Sequence, residues 1–125
     1  MHTANQPETA VVTGMDIVAY YTGDPQRSIA FYRDVLGMTP TEVDEDGRGA
    51  EFALADGSTF GVWKPDGATS GASVMFAVAD IAQALRLFRE RGAQLSDPTE
   101  TPVCFMSFGA DPDGNAFIVH QRKTV

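Results

Sequence analysis

Few side chains in this 125-residue sequence have the types and spacing that chemistry requires. His120 closes the run Gly114-Asn115-Ala116-Phe117-Ile118-Val119-His120, and an earlier copy of that pattern, Gly57-Ser58-Thr59-Phe60-Gly61-Val62-Trp63, precedes it at an offset of 57. An imidazole in this position could hydrogen-bond a ligand or move a proton near neutral pH, which makes His120 the best catalytic candidate. It could equally end a strand half in water. Trp63 and Tyr21 offer flat surfaces to a planar ligand, each stacked contact contributing about 0.5 to 1.5 kcal/mol beyond its buried area. The competing reading packs Trp63 against a second subunit. Cys104 follows Pro102-Val103, and a reactive thiolate would need a base or a positive field beside it; a buried, inert thiol is the favoured reading. Glu51 is a carboxylate inside a predicted strand flanked by apolar residues, so it is either a base or cation-binding group or a solvent-facing side chain. Met75, Met106, Phe105 and Phe108 could line a cleft with adaptable apolar surface, or fill the core. His2 stands in a polar leading segment and is not assigned to a site.

The elements that must position these residues are set by periodicity and punctuation. Met15 to Thr22 is rich in β-branched and aromatic residues and reads as a strand. Asp24 then caps a helix with Pro25 at its first position, running to about Leu36 with Ile29, Tyr32, Val35 and Leu36 on one stripe and Gly37 closing it. The acidic segment Thr39 to Arg48 reads as a solvated hairpin around Asp46-Gly47. Gly49 to Leu54 and Ser58 to Lys64 are strands joined by the Ala55-Asp56-Gly57 turn.

Pro65 to Gly71 has the composition of a linker, and then the pattern restarts. Ala72 to Val78 is a strand, Asp80 an N-cap with Gln83 three residues on, and Ile81 to Arg91 a helix with core stripe Ile81, Ala84, Leu85 and Phe88, closed by Gly92. Ala116 to Gln121 is the last strand. Asp24 matches Asp80 and Gly37 matches Gly92 at offsets of 56 and 55. The chain therefore reads as two βαβββ modules, about 14–66 and 72–123, after a flexible tail, 1–13.

Strand alternation sorts these residues onto two faces. Val18, Tyr20, Phe60, Val62, Val74, Phe76, Phe117 and Val119 are uniformly bulky and apolar and belong under the helices. The alternate set, Ile17, Ala19, Tyr21, Gly61, Trp63, Ser73, Met75, Ala77, Ile118 and His120, mixes small, aromatic and polar side chains and suits a cleft. Asp111-Pro112-Asp113-Gly114-Asn115 lacks the closing glutamate of a calcium loop and reads as a structural turn.

Composition limits the partners. With 43% apolar and 10% aromatic residues the chain can bury a core as one domain. A formal charge of -8 and a pI near 4.5 would repel a phosphate backbone, so nucleic acid is not an expected partner. One cysteine cannot make an internal disulfide, which fits a reducing cytoplasmic setting. The leading segment lacks the basic start and apolar run of a signal peptide, and no stretch approaches the roughly 20 apolar residues needed to span a bilayer.

The tandem modules, the run Asp24-Pro25-Gln26-Arg27-Ser28-Ile29-Ala30-Phe31-Tyr32-Arg33-Asp34-Val35-Leu36-Gly37 and the Asp111 to Asn115 turn resemble the vicinal oxygen chelate superfamily. That group includes glyoxalase I, bleomycin resistance proteins, fosfomycin resistance enzymes and extradiol dioxygenases. The resemblance covers about residues 14 to 123 and implies an α+β fold, two βαβββ modules forming a cleft between curved mixed sheets. It also implies a homodimer and a divalent metal held by residues of the first and last strands. The matching positions here are Ile17, Ser73, Gly61 and Ile118, none a good ligand. No cofactor is therefore expected. The leading functional reading is a metal-independent binder of a small planar or aromatic molecule, contacting Ile17, Tyr21, Trp63, Ser73, Met75, Ile118 and His120, of the sequestration or resistance type. The alternative is a metal-dependent or metal-free lyase, isomerase or dioxygenase. An interaction module whose cleft is only a dimer seam is a third.

Overall fold

A computed structural model describes residues 11–67 and 70–123. The expectations for the first ten residues, His2 included, and for Ala68 and Thr69 of the linker lie outside the described residues. The element order is β1 (Val12–Tyr21), α1 (Pro25–Ala30), a π-helical turn (Phe31–Val35), β2 (Glu42–Val43), β3 (Gly49–Ala53), β4 (Thr59–Trp63), β5 (Ala72–Val78), α2 (Ile81–Glu90), β6 (Thr99–Glu100), β7 (Cys104–Ala110) and β8 (Ala116–Arg122). This is an α+β chain of two tandem βαβββ modules, as the repeat implies. The chain divides into two compact units, Asp16–Val74 and the remainder, the latter including the opening of β1 up to Met15.

In the unit Asp16–Val74 the strand order is β2-β3-β4-β1. β1 and β4 run parallel, with Ile17 opposite Thr59 and Tyr21 opposite Trp63, while β3 pairs antiparallel with both β4 and β2. The start of α1 is fixed locally. The Asp24 carboxylate accepts the Arg27 backbone N–H at 3.2 Å, and the Thr22 hydroxyl accepts from the Asp24 N–H and the Ser28 hydroxyl. Ile29 is thereby placed in a core with Ala50, Phe52 and Val62, flanked by Tyr32, Met38 and Phe60. The Tyr32 and Phe60 rings sit 4.7 Å apart in an edge-to-face arrangement.

The helix does not continue as a regular α-helix to Leu36. The Leu36 N–H donates to the carbonyl of Phe31, five residues back, at 3.3 Å. One extra residue in the turn rotates the end of the helix away from the sheet. Val35 and Leu36, expected on the core stripe, are 66% and 56% exposed instead. Gly37 still closes the segment in the left-handed region at φ 72°.

In the other unit the order is β5-β8-β7-β6. β7 and β8 pair antiparallel from Cys104 opposite Arg122 to Ala110 opposite Ala116. The N-terminus of α2 is capped twice: the Asp80 carboxylate accepts from the Gln83 N–H at 3.1 Å, and Gln121 Oε1 on β8 accepts from the Ile81 N–H at 2.8 Å. Ile81, Ala84, Leu85, Val78 and Val119 form the buried core, with Phe88, Leu95, Phe105 and Phe117 against it. Val11 packs on the same core, and the Thr13 hydroxyl donates to the Ala77 carbonyl at 3.2 Å. The expected tail therefore ends sooner than 13: Val12 and Thr13 are strand residues held by the second module.

Candidate functional site

α1 lies over β3 and β4 through Ile29, so the sheet face of that unit that carries Phe52, Phe60 and Val62 is covered. The opposite face is the one expected to hold a ligand. A Cβ built on Gly61 would lie 3.6 Å from the Ala19 Cβ and 3.8 Å from Ile17 Cγ2, which puts these three residues side by side. Glu51 is opposite Gly61 on β3, and Gly49 opposite Trp63. Trp63 is 39% exposed, and the Arg48 guanidinium stands over its ring with the central carbon 5.6 Å from the centroid. Tyr21 is half-buried, bonded through its N–H to the Gly71 carbonyl at 2.9 Å. Ser73 is buried near the start of β5. The face is thus a floor of small and aliphatic groups, Gly49, Gly61, Ala19 and Ile17, rimmed by Trp63 and Tyr21.

In the other unit, Phe105, Phe117 and Val119 face α2. Alternation then puts Ile118 and His120 on the helix-free side, opposite Phe108 and Met106 in the β7 register. Met75 falls on that side as well, because its neighbour Phe76 meets Phe117 under the helix. Three sequence expectations change. His120 is 8% exposed, so it is a buried imidazole and not one half in water. Phe105 belongs to the core under α2 and not to a ligand-binding face. Tyr20, assigned to the covered side, does touch Phe60, at 5.7 Å, yet remains 52% exposed.

Cys104 is buried with Sγ 3.1 Å from the Thr101 hydroxyl. The Asp111 carboxylate accepts the backbone N–H groups of Asp113 and Asn115 and the Asn115 side-chain amide, with Gly114 at φ 86°. Those bonds, the Asn115 side chain first, hold the Asp111 carboxyl below the ordinary value of 3.8. This segment is a structural turn.

The four positions at which the resemblance implies metal ligands are Ile17, Gly61, Ser73 and Ile118. Two hydrocarbon side chains, a hydrogen and a neutral hydroxyl do not make a donor set for a divalent ion. Among the described residues, no three His, Cys, Asp or Glu side chains come together in a way that could hold one. The residues present do not fit the metal of the resembling enzymes.

A family model described as Glyoxalase/Bleomycin resistance protein/Dioxygenase superfamily matches residues 14–119. No curated protein matches the chain. Among solved structures, methylmalonyl-CoA epimerase from Mycobacterium tuberculosis is similar at 21% identity and a TM-score of 0.76, over 98% of this chain and 97% of that one. An NAD-dependent benzaldehyde dehydrogenase structure from Legionella pneumophila is similar at 22% identity and a TM-score of 0.68, over 86% and 98%. A superfamily member from Vibrio splendidus 12B01 is similar at 21% and 0.69, over 86% and 97%. At these identities the likeness carries the fold.

Proposed function

The chain belongs to the glyoxalase/bleomycin resistance protein/dioxygenase superfamily, and from that premise we propose that it is a metal-independent binder of a small planar or aromatic molecule. The observation that carries this reading is the partly exposed indole of Trp63 beside a floor that lacks side-chain bulk at Gly61. A large aromatic side chain left open next to a low floor gives a ring somewhere to lie. Ile17 and Tyr21 border the same face. No metal takes part. Sequestration of a metabolite or drug is the proposed role, in a homodimer as the resemblance implies.

Trp63 is the only tryptophan in the chain, so its emission reports on this face without a label. Titration with a library of planar metabolites should shift or quench that emission saturably, and Trp63→Ala should lose the calorimetric heat of binding for the same compounds. A broad library with no saturable hit would sink the proposal. Elemental analysis of protein purified without added metal should find no stoichiometric Ni, Zn, Fe or Mn. Light scattering should give twice the 13.4 kDa chain mass.

One observation favours a second reading, a metal-free isomerase: Glu51 sets a carboxylate opposite Gly61, on the face proposed to bind. A carboxylate so placed could take a proton from a carbon acid, and several of the similar structures are methylmalonyl-CoA epimerases. Incubating the protein with methylmalonyl-CoA in deuterated water separates the two. Catalysed exchange at the α carbon that disappears in Glu51→Gln would establish the isomerase.

A further inference from the structure

The Arg48 guanidinium occupies an unusual position for a chain of net charge -8: it stands over the exposed indole at the edge of the proposed binding face. Resting on the reading that this face binds a planar molecule, we propose that Arg48 determines specificity and that the ligand is a planar ring bearing a carboxylate.

Arg48 immediately precedes β3, and the next residue explains why it can reach Trp63. A Cβ on Gly49 would come within 3.0 Å of Trp63 Cε3, so the indole lies directly across the Gly49 backbone and beneath the arginine. Both hydrogen bonds described for the Arg48 side chain leave from Nη2, one to the Lys64 carbonyl and one to Asp66 Oδ1 at 3.0 Å. A guanidinium offers a two-bond fork only along Nε and Nη2 or along Nη1 and Nη2, so a ligand carboxylate pairs with Arg48 by taking the Nη2 hydrogen that Asp66 now holds. A guanidinium fork accepts a carboxylate through two parallel bonds, which a point charge cannot do.

The present counterion is easily replaced. The Asp66 side chain is 99% exposed, and an ion pair held that far into water contributes little. A ligand carboxylate whose ring already lies over Gly61, beside the indole edge, brings its charge to the fork at high effective concentration and displaces Asp66. The carboxylate sits at the Arg48 end, and the ring extends over Gly61, opposite Glu51 in the β3–β4 register. Asp44, which accepts the Arg48 backbone N–H, is the other acidic group bonded at this corner.

The test compares 2-naphthoate with its neutral isostere 2-naphthamide by isothermal titration. The acid should bind about tenfold tighter than the amide, the scale of a charge-assisted bidentate contact. Arg48→Gln should remove that preference, read as the ratio of acid to amide affinity in the same variant, and Asp66→Asn should tighten acid binding without affecting the amide. Equal affinity for acid and amide in the unmodified protein, or a preference that survives in Arg48→Gln, overturns the inference and leaves the binding proposal intact. Acid binding that Asp66→Asn leaves unchanged or weakens also overturns it, by a variant that does not remove the arginine. Binding of neither compound counts against both.

Discussion

At Gly49 the register allows no side chain. A Cβ there would lie 2.1 Å from the Val62 carbonyl oxygen, backbone that cannot step aside without opening the β3–β4 ladder. Gly49→Ala should therefore cost about 1 to 3 kcal/mol by overpacking and lift the indole from its seat, read as a lower urea midpoint together with shifted Trp63 emission. At the Asp111 turn, the carboxyl is held below its ordinary value in the folded chain, so the stabilisation it contributes is fully present above the unfolded value of about 3.9 and lost as pH falls through the lower folded value. Asn115→Ala removes the first cause of that shift, and the Asp111 carboxyl followed by carbon-detected NMR titration should move up towards 3.8. Which face a strand residue occupies was legible in the sequence, because alternation alone sorts Gly61 and Trp63 from Phe60 and Val62. How deeply it is buried was not. His120 lies two residues inside the end of its strand, and its burial is not encoded by any pattern in the strand.

At the scale of elements, caps read well and continuity read badly. Asp24 and Asp80 both accept the N–H three residues on, as their positions predict. The sequence did not reveal that Gln121, forty residues away, caps Ile81 from β8. Asp80→Ala and Gln121→Ala should each destabilise the second module by about 1 kcal/mol, measured by urea unfolding; each leaves a different orphan N–H at the start of α2. The stripe Ile29, Tyr32, Val35 and Leu36 fits a regular helix as written. A π turn cannot be read from such a stripe, since it arises where Tyr32 is drawn among Phe52 and Phe60 and the chain must then absorb one residue.

For the whole molecule, the tandem repeat and the α+β class were legible from two capped helices and two matching turn-strand runs, signals that depend on local chemistry. No helix among the described residues is long and apolar enough to cross a membrane. The compact units have separate cores, around Phe52 and Val62 in one and around Leu85 and Val119 in the other. Phe52 is fully buried, and Phe52→Ala should cost about 3 to 5 kcal/mol. Because the only tryptophan shares its unit, urea unfolding monitored by Trp63 emission should show the loss directly.

β1 begins before the family-matched region, which starts at residue 14. Val11 and Thr13 stand before that boundary, yet they pack and bond with the core of the later copy. The matched segment is thus shorter than the segment that packs. Trimming the chain to residue 14 would loosen the repeat farthest from the cut, and amide exchange in α2 and β8 would speed up before anything near the new terminus did.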